Sequence, residues 1–209
     1  MAKQIEGVYD RLMECAKAEF LDKGFKDASL RVIAERADTS TGSIYTRFGD
    51  KQGLFHAIVQ PVVENFEKNC YEELETFNRV RSDMPYKEMM RYKAERLNLL
   101  VDSIYKDFDA FKLLICDAEG TEYGDFLHRL AEMEVQQTIR YIDAIGNDAL
   151  RSGRLSPALL HMLVSAYWAG VFQTVEHDMS REEAGRYIGQ MKRFYRKGWS
   201  DIFSPEEEP

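Results

Sequence analysis

Between Ser29 and Phe48 the apolar positions fall into two short helical registers separated by a polar break. Behind Ser29, a residue suited to capping a helix, Val32, Ile33, Ala34 and Ala37 form one face at helical spacing. Asp38-Thr39 interrupts that register. Ser40 then suits the cap of a second helix whose buried side is Ile44 and Phe48, four residues apart. Thr41, Gly42, Ser43, Tyr45, Thr46 and Arg47 are left for the start and outer face of that helix. Two short helices joined by a tight polar turn are the layout of a helix-turn-helix, with residues 41–48 as its recognition helix.

The rest of the chain also reads as helical, without strand alternation, hairpin signals or an internal repeat. A first helix over about residues 4–23 stops at Gly24. Asp50 caps a fourth helix that carries Leu54, Phe55, Ile58 and Val59, kinks at Pro61 and runs to about residue 77. Residues 79–85 are the clearest loop, and further helices are expected over about 86–106, 108–118, 121–146, 156–178 and 181–203. The expected fold class is therefore all-α with nine helices, divided into a helix-turn-helix domain over 1–50 and a larger helical domain over 51–209.

The last two helices carry the strongest signals. Ser156-Pro157 is an N-cap followed by proline at the first helical position, and Ser180–Glu183 is a capping box. From Ala158 to Val175 the chain is apolar on nearly every face, which requires enclosure by its own domain and something further. Ala184, Tyr187, Ile188, Met191, Phe194, Tyr195 and Trp199 recur at spacings of three and four. Two such helices from each of two chains would make an intermolecular four-helix bundle with Trp168, Phe172, Tyr187, Met191, Phe194 and Tyr195 in its core. The alternative is that both helices complete an intrachain core.

Composition sets bounds. No apolar run approaches 18 residues and no export signal is evident at the N-terminus, so a cytoplasmic protein without membrane attachment is expected. Cys15, Cys70 and Cys116 are isolated, with no C-x-x-C spacing, and suit buried thiols in a reducing compartment. The net charge of −8 belongs to the second region, because residues 1–55 carry nine basic and nine acidic residues. A neutral reading head lacks a basic patch for non-specific binding, so affinity for DNA must rest on focused phosphate contacts and on dimerisation.

Several spaced positions carry a family resemblance. Arg11-Leu12-Met13-Glu14-Cys15-Ala16 and Phe20-Leu21-Asp22-Lys23-Gly24-Phe25 look like the first helix of TetR/AcrR bacterial regulators and its Gly-aromatic stop. Ser29…Ile33-Ala34…Ala37 is similar to their second helix, and Ser40-Thr41-Gly42-Ser43-Ile44-Tyr45…Phe48…Lys51…Leu54 to their recognition helix and the start of the fourth. The resemblance covers roughly residues 8–58. The chain departs where the family usually has Gly (here Asp38) and an aliphatic residue (here Thr39). Aspartate tolerates a left-handed turn conformation, so the turn can survive.

The resemblance implies a nine-helix homodimer that binds double-stranded DNA at a palindromic operator, most simply a repressor released by an apolar or amphipathic small molecule. Expected DNA contacts are Ser29, Arg31, Thr41, Gly42, Ser43, Tyr45, Thr46, Arg47 and Lys51, with Tyr45 and Lys51 on phosphate and Thr41, Ser43 and Arg47 at base edges or adjacent phosphates. Taken singly, Gly42 also reads as a close-packing position and Tyr45 as a half-buried space-filler. Phe66, Met89, Tyr92, Phe108, Phe111, Tyr123, Phe126, His128 and Trp168 are candidates for an effector pocket, most of them equally readable as core.

No nucleotide-binding, zinc-protease or nucleophile-elbow motif is present, so no catalytic residue, cofactor or metal is expected. A carboxylate-bridged di-metal site needs Glu-x-x-His, and the nearest spacing is Asp125-x-x-His128. A helical interaction module or a helical metal-dependent enzyme are the alternatives, and both leave the recognition-helix pattern unexplained.

Overall fold

A computed structural model of the chain describes residues 2–80 and 98–203. Among these residues there are nine helical segments and no strand: α1 Ala2–Asp27, α2 Leu30–Arg36, α3 Thr41–Phe48, α4 Lys51–Val80, α5 over 98–106, α6 Phe108–Cys116, α7 Phe126–Ala144, α8 Pro157–Glu176 and α9 Arg181–Phe203. The contacts group into two compact units, one of residues 1–66 with 106–124 and one of 67–105 with 125–209. The first unit is thus larger than the expected 1–50 domain, since α6 and half of α4 join it.

In the first unit, Leu12, Ala16 and Phe20 on α1 meet Ile33, Ala34 and Ala37 of α2, Ile44 of α3 and Leu54 and Phe55 of α4, all fully or nearly buried. Phe20, Phe25 and Phe55 pack as edge-on and stacked pairs. Gly24 breaks the helical backbone of α1 at φ 73, ψ 165, so the expected stop is present as a kink, and a further turn continues to Asp27. A Cβ there would lie 3.1 Å from Asp117 Oδ1, and burial raises the Asp117 carboxyl above its ordinary range. Phe66 and Phe111 fill the far part of this unit, edge to face at 5.5 Å.

The second unit is built on α7 packed along α8, with α9 against α8. Leu130, Ala131 and Ile142 of α7 and Leu160, Val164, Val171, Phe172 and Val175 of α8 are buried. Gly170 permits a close approach to α9, because a Cβ there would stand 2.7 Å from Met191 Sδ. Arg181 of α9 reaches Asp102 of α5 at 2.6 Å, and Tyr105 donates to the Met179 carbonyl. Among the described residues, α8 is the one helix long and apolar enough, at a mean hydropathy of 1.3, to pass for a membrane span by length and composition. Its apolar residues are accounted for by this packing and by exposed Leu159 and Met162.

Two boundaries differ from expectation. The expected start of α7 at 121 is displaced to Phe126, because Thr121 folds a turn, its hydroxyl donating to the Ala118 carbonyl and accepting from the Tyr123 N–H. Helix α4 passes through Pro61 and covers the first two positions of the expected 79–85 loop, the remainder of which lies outside the described residues. Cys70 is buried as expected, Cys15 is half-buried, and Cys116 is exposed at the end of α6.

Candidate nucleic-acid interface

The helix-turn-helix is held by its ends. Asp38 sits at φ 55 after α2; its N–H reaches the Glu35 carbonyl at 3.2 Å and the Thr39 N–H reaches the Ala34 carbonyl at 2.9 Å. This pair of bonds closes a left-handed helix stop that usually takes glycine, with aspartate supplying the conformation instead. Ser40 then caps α3, its Oγ accepting from the Ser43 N–H at 3.1 Å. Gly49 ends α3 at φ 81, and Asp50 caps α4 by accepting from the Gly53 N–H at 2.8 Å. A Cβ on Gly53 would stand 1.9 Å from the Phe48 carbonyl oxygen, so the turn from α3 into α4 requires glycine there.

Helix α3 divides sharply between its two faces. Ile44 is fully buried, while Gly42, Ser43, Tyr45, Thr46 and Arg47 are exposed, Tyr45 at 55%. A Cβ on Gly42 would meet nothing nearer than Ser40 Oγ at 3.6 Å, so nothing within the chain demands glycine at this position. The intrachain close-packing reading of Gly42 and the half-buried reading of Tyr45 both lapse. Thr46 donates its hydroxyl to the Gly42 carbonyl at 2.8 Å, and the Ser43 hydroxyl is shared with that of Ser40 at 2.9 Å. Arg47 lies over the Tyr9 ring, 4.9 Å from its centroid, and Tyr9 stacks on Phe48.

Other expected contacts are placed differently. Ser29 precedes α2 in extended conformation but makes no side-chain cap. Its N–H instead meets Glu19, a carboxylate 3% exposed on α1, at 3.3 Å, and Arg36 reaches the other oxygen of Glu19 at 3.1 Å. Glu19 ties both ends of α2 to α1, a role the sequence reading missed; the available sign was an acidic residue beside Phe20 on the buried stripe Leu12-Ala16-Phe20. Lys51 donates to the Lys26 and Ala28 carbonyls at 2.8 and 3.2 Å and lies over the Phe25 ring. Two of its three N–H donors therefore close the end of α1, leaving at most one for phosphate. Thr41 is half-buried and Arg31 exposed on α2.

Among the described residues, most of the expected effector-pocket side chains are packed as core. Phe66, Phe111, Phe126, Tyr123 and Trp168 are buried core, and Phe108 is half-buried. The Tyr123 hydroxyl lies 2.7 Å from His56 Nδ1, and Trp168 donates to Glu134 at 2.7 Å. Met89 and Tyr92 lie outside the described residues. The second unit does hold an open groove of about 520 Å³ beside α7, lined among others by Tyr71, His128, Glu132, Met133, Gln136 and Arg140. Of the expected set it contains His128 alone, and its walls are polar and apolar in equal measure.

The expected dimer residues also separate. Phe172 is fully buried against Phe126, and Trp168 is 5% exposed, so both serve their own chain's core. Met191 is half-buried over Gly170, and Tyr195 packs edge-on against Tyr167. Tyr187 at 37% and Phe194 at 77% are exposed, as are Leu159 and Met162 on α8.

A fully buried Ile44 beneath an exposed row of glycine, hydroxyl, phenol and guanidinium groups, presented after a capped tight turn, defines a helix-turn-helix protein. Residues 12–58 match the profile of the bacterial regulatory proteins, tetR family. Over these residues, the helix-turn-helix and the helices that flank it, the chain is similar to that family. Over 60 residues it is 33% identical to YvdT of Bacillus subtilis (strain 168), an uncharacterized HTH-type transcriptional regulator, a match that spans 29% of this chain and 31% of that relative. NalD of Pseudomonas aeruginosa, the secondary repressor of the MexAB-OprM multidrug efflux pump, shares the fold at a TM-score of 0.56 and 20% identity, over 91% of this chain and 96% of NalD. The TetR family transcriptional regulator PfmR from Thermus thermophilus does so at 0.55 and 17%, over 96% and 98% of the two chains.

Proposed function

We propose that this protein is a cytoplasmic homodimeric transcriptional regulator, most simply a repressor, that seats one α3 from each chain in successive major grooves of a palindromic operator. The observation that carries the reading is the division of α3, with Ile44 sealed inside and Gly42, Ser43, Tyr45 and Arg47 on the open face. Tyr45 supplies a phosphate donor, and the missing side chain at Gly42 lets the helix backbone come close to the groove. Ser43 and Arg47 supply base-edge and phosphate groups, with Arg47 oriented by the Tyr9 ring.

Dimerisation through the exposed apolar residues of α8 and α9 supports two-site reading, because DNA fixes the separation of paired recognition helices at about 34–36 Å or a multiple of it. A small molecule whose binding favours a different separation weakens DNA binding by linkage, and DNA weakens its binding by the same factor. The groove beside α7, polar and apolar in equal measure, supports an amphipathic effector. Selection of bound duplexes from a random pool tests the reading. Enrichment of an inverted repeat whose half-sites are centred about one helical turn apart is expected; failure to enrich any sequence refutes it.

A further inference from the structure

Helices α7 and α8 bring together three side chains that the DNA-binding reading does not use. His128 and Glu132 stand four residues apart on α7, hence on one face, and His161 of α8 comes across to meet them. One donor atom from each of the three lies within 4.8 Å of the others. Glu132 Oε1 and His161 Nε2 are 3.3 Å apart, and the His128 and His161 rings are 5.9 Å apart between centroids. Metal–ligand bonds of about 2.0–2.1 Å at tetrahedral angles place neighbouring donor atoms about 3.3 Å apart. The spacing of Glu132 and His161 already satisfies that requirement, and His128, on a part-exposed side chain, needs only a rotamer adjustment to complete it.

We propose that His128, Glu132 and His161 form a binding site for a divalent transition-metal ion, of which Zn²⁺ is the representative. Two imidazoles and one carboxylate are a borderline donor set that favours Zn²⁺, Co²⁺ or Ni²⁺ over Ca²⁺ and Mg²⁺, which take oxygen ligands. Three protein ligands leave a tetrahedral ion at least one further position for water or an exogenous ligand. His128 and Glu132 also line the groove beside α7, so that position lies at the rim of an open space of about 520 Å³. Of the two guanidiniums that line the groove, Arg129 and Arg140, the first is paired with Asp125 and with Glu67 at 3.6 Å, which offsets its charge. The ligands are part-exposed, so an ion can enter from water.

Chelator-treated full-length protein is titrated with Zn²⁺ against a chromophoric competitor, and separately with Co²⁺ followed by visible absorption. One ion per chain is expected, with Co²⁺ bands of a nitrogen–oxygen site. His128→Ala, His161→Ala and Glu132→Gln should each weaken Zn²⁺ binding about tenfold or more. His177→Ala, about 24 Å further along α8 at 1.5 Å per residue, should leave it unchanged. All these side chains are at least part-exposed, and unchanged helicity in each variant confirms that folding is retained. Binding no tighter in the native protein than in the His128→Ala/His161→Ala double variant overturns the proposal and leaves a surface histidine–glutamate pair. A thiolate charge-transfer band with Co²⁺ overturns it equally, in favour of the cysteines.

Discussion

Gly42, in the first turn of α3, and Gly53, in the first turn of α4, are glycines for opposite reasons. Gly53→Ala drives a Cβ into the Phe48 carbonyl, and the forced shift is expected to cost about 1–3 kcal/mol, read as a lower midpoint in chemical unfolding. Gly42→Ala has room and removes a flexible residue from a helix, so stability should hold or rise by up to about 1 kcal/mol. Its DNA affinity should nevertheless fall; full affinity in Gly42→Ala would deny the close backbone approach. Glu19→Ala leaves the Ser29 N–H and Arg36 without their shared acceptor, and a loss of about 1.5–3 kcal/mol is expected in the same unfolding assay. At this scale the sequence was legible where a side chain acts on its own neighbours: Ser40, Asp50 and the left-handed Asp38 are local chemistry. Glu19, Lys51 and the His128–Glu132–His161 cluster were not, because their partners lie on other helices. The metal pattern sought was Glu-x-x-His, whereas this cluster sets His and Glu four apart and takes its third member from α8.

Among the elements, α9 offers the cleanest test of a capping motif. Ser180 N–H and Oγ donate to Glu183 at 2.8 and 2.7 Å, while Ser180 Oγ accepts from the Glu183 N–H at 3.2 Å. The Ser180 hydroxyl and backbone N–H hold the Glu183 carboxyl below its ordinary value of 4.5. A carboxyl lowered on folding contributes stability above its unfolded value and loses that contribution as the pH falls through the folded one. The native protein should therefore exceed Glu183→Gln in thermal stability at neutral pH, and the gap should close on acidification below about pH 4.5. A gap unchanged by pH would assign the effect to something other than the carboxylate. Helix positions were legible through such caps and through the periodicities of α8 and α9. The start of α7 was not, because the Thr121 hydroxyl folds a turn where apolar spacing alone continues a helix.

For the whole molecule, the partition of α8 and α9 decides the assembly. Trp168 and Phe172 read in sequence as interface residues because both helices are apolar on many faces; burial against α7 shows which face is internal. Leu159, Met162, Tyr187 and Phe194 remain exposed and form the surface of the proposed dimer. Sedimentation at micromolar concentration should give about twice the 24.3 kDa chain mass. Met162→Arg with Phe194→Arg should give a folded monomer with weakened operator binding, since two linked reading heads bind far more tightly than one. A native monomer with full operator affinity would refute the dimer. The effector-pocket residues were the least legible part, since large apolar side chains at helical spacing serve a core as readily as a cavity.

The central claim is that the open face of α3 reads DNA sequence. Fluorescence anisotropy with the selected inverted-repeat duplex and a scrambled duplex of equal length, at one fixed salt concentration, measures that preference in the native protein and in Ser43→Ala and Arg47→Ala. The native protein should prefer the selected duplex, and at least one variant should shift that preference by about 1–3 kcal/mol, the worth of a good base contact. Equal affinity for both duplexes, or a preference unchanged in both variants, would contradict the account.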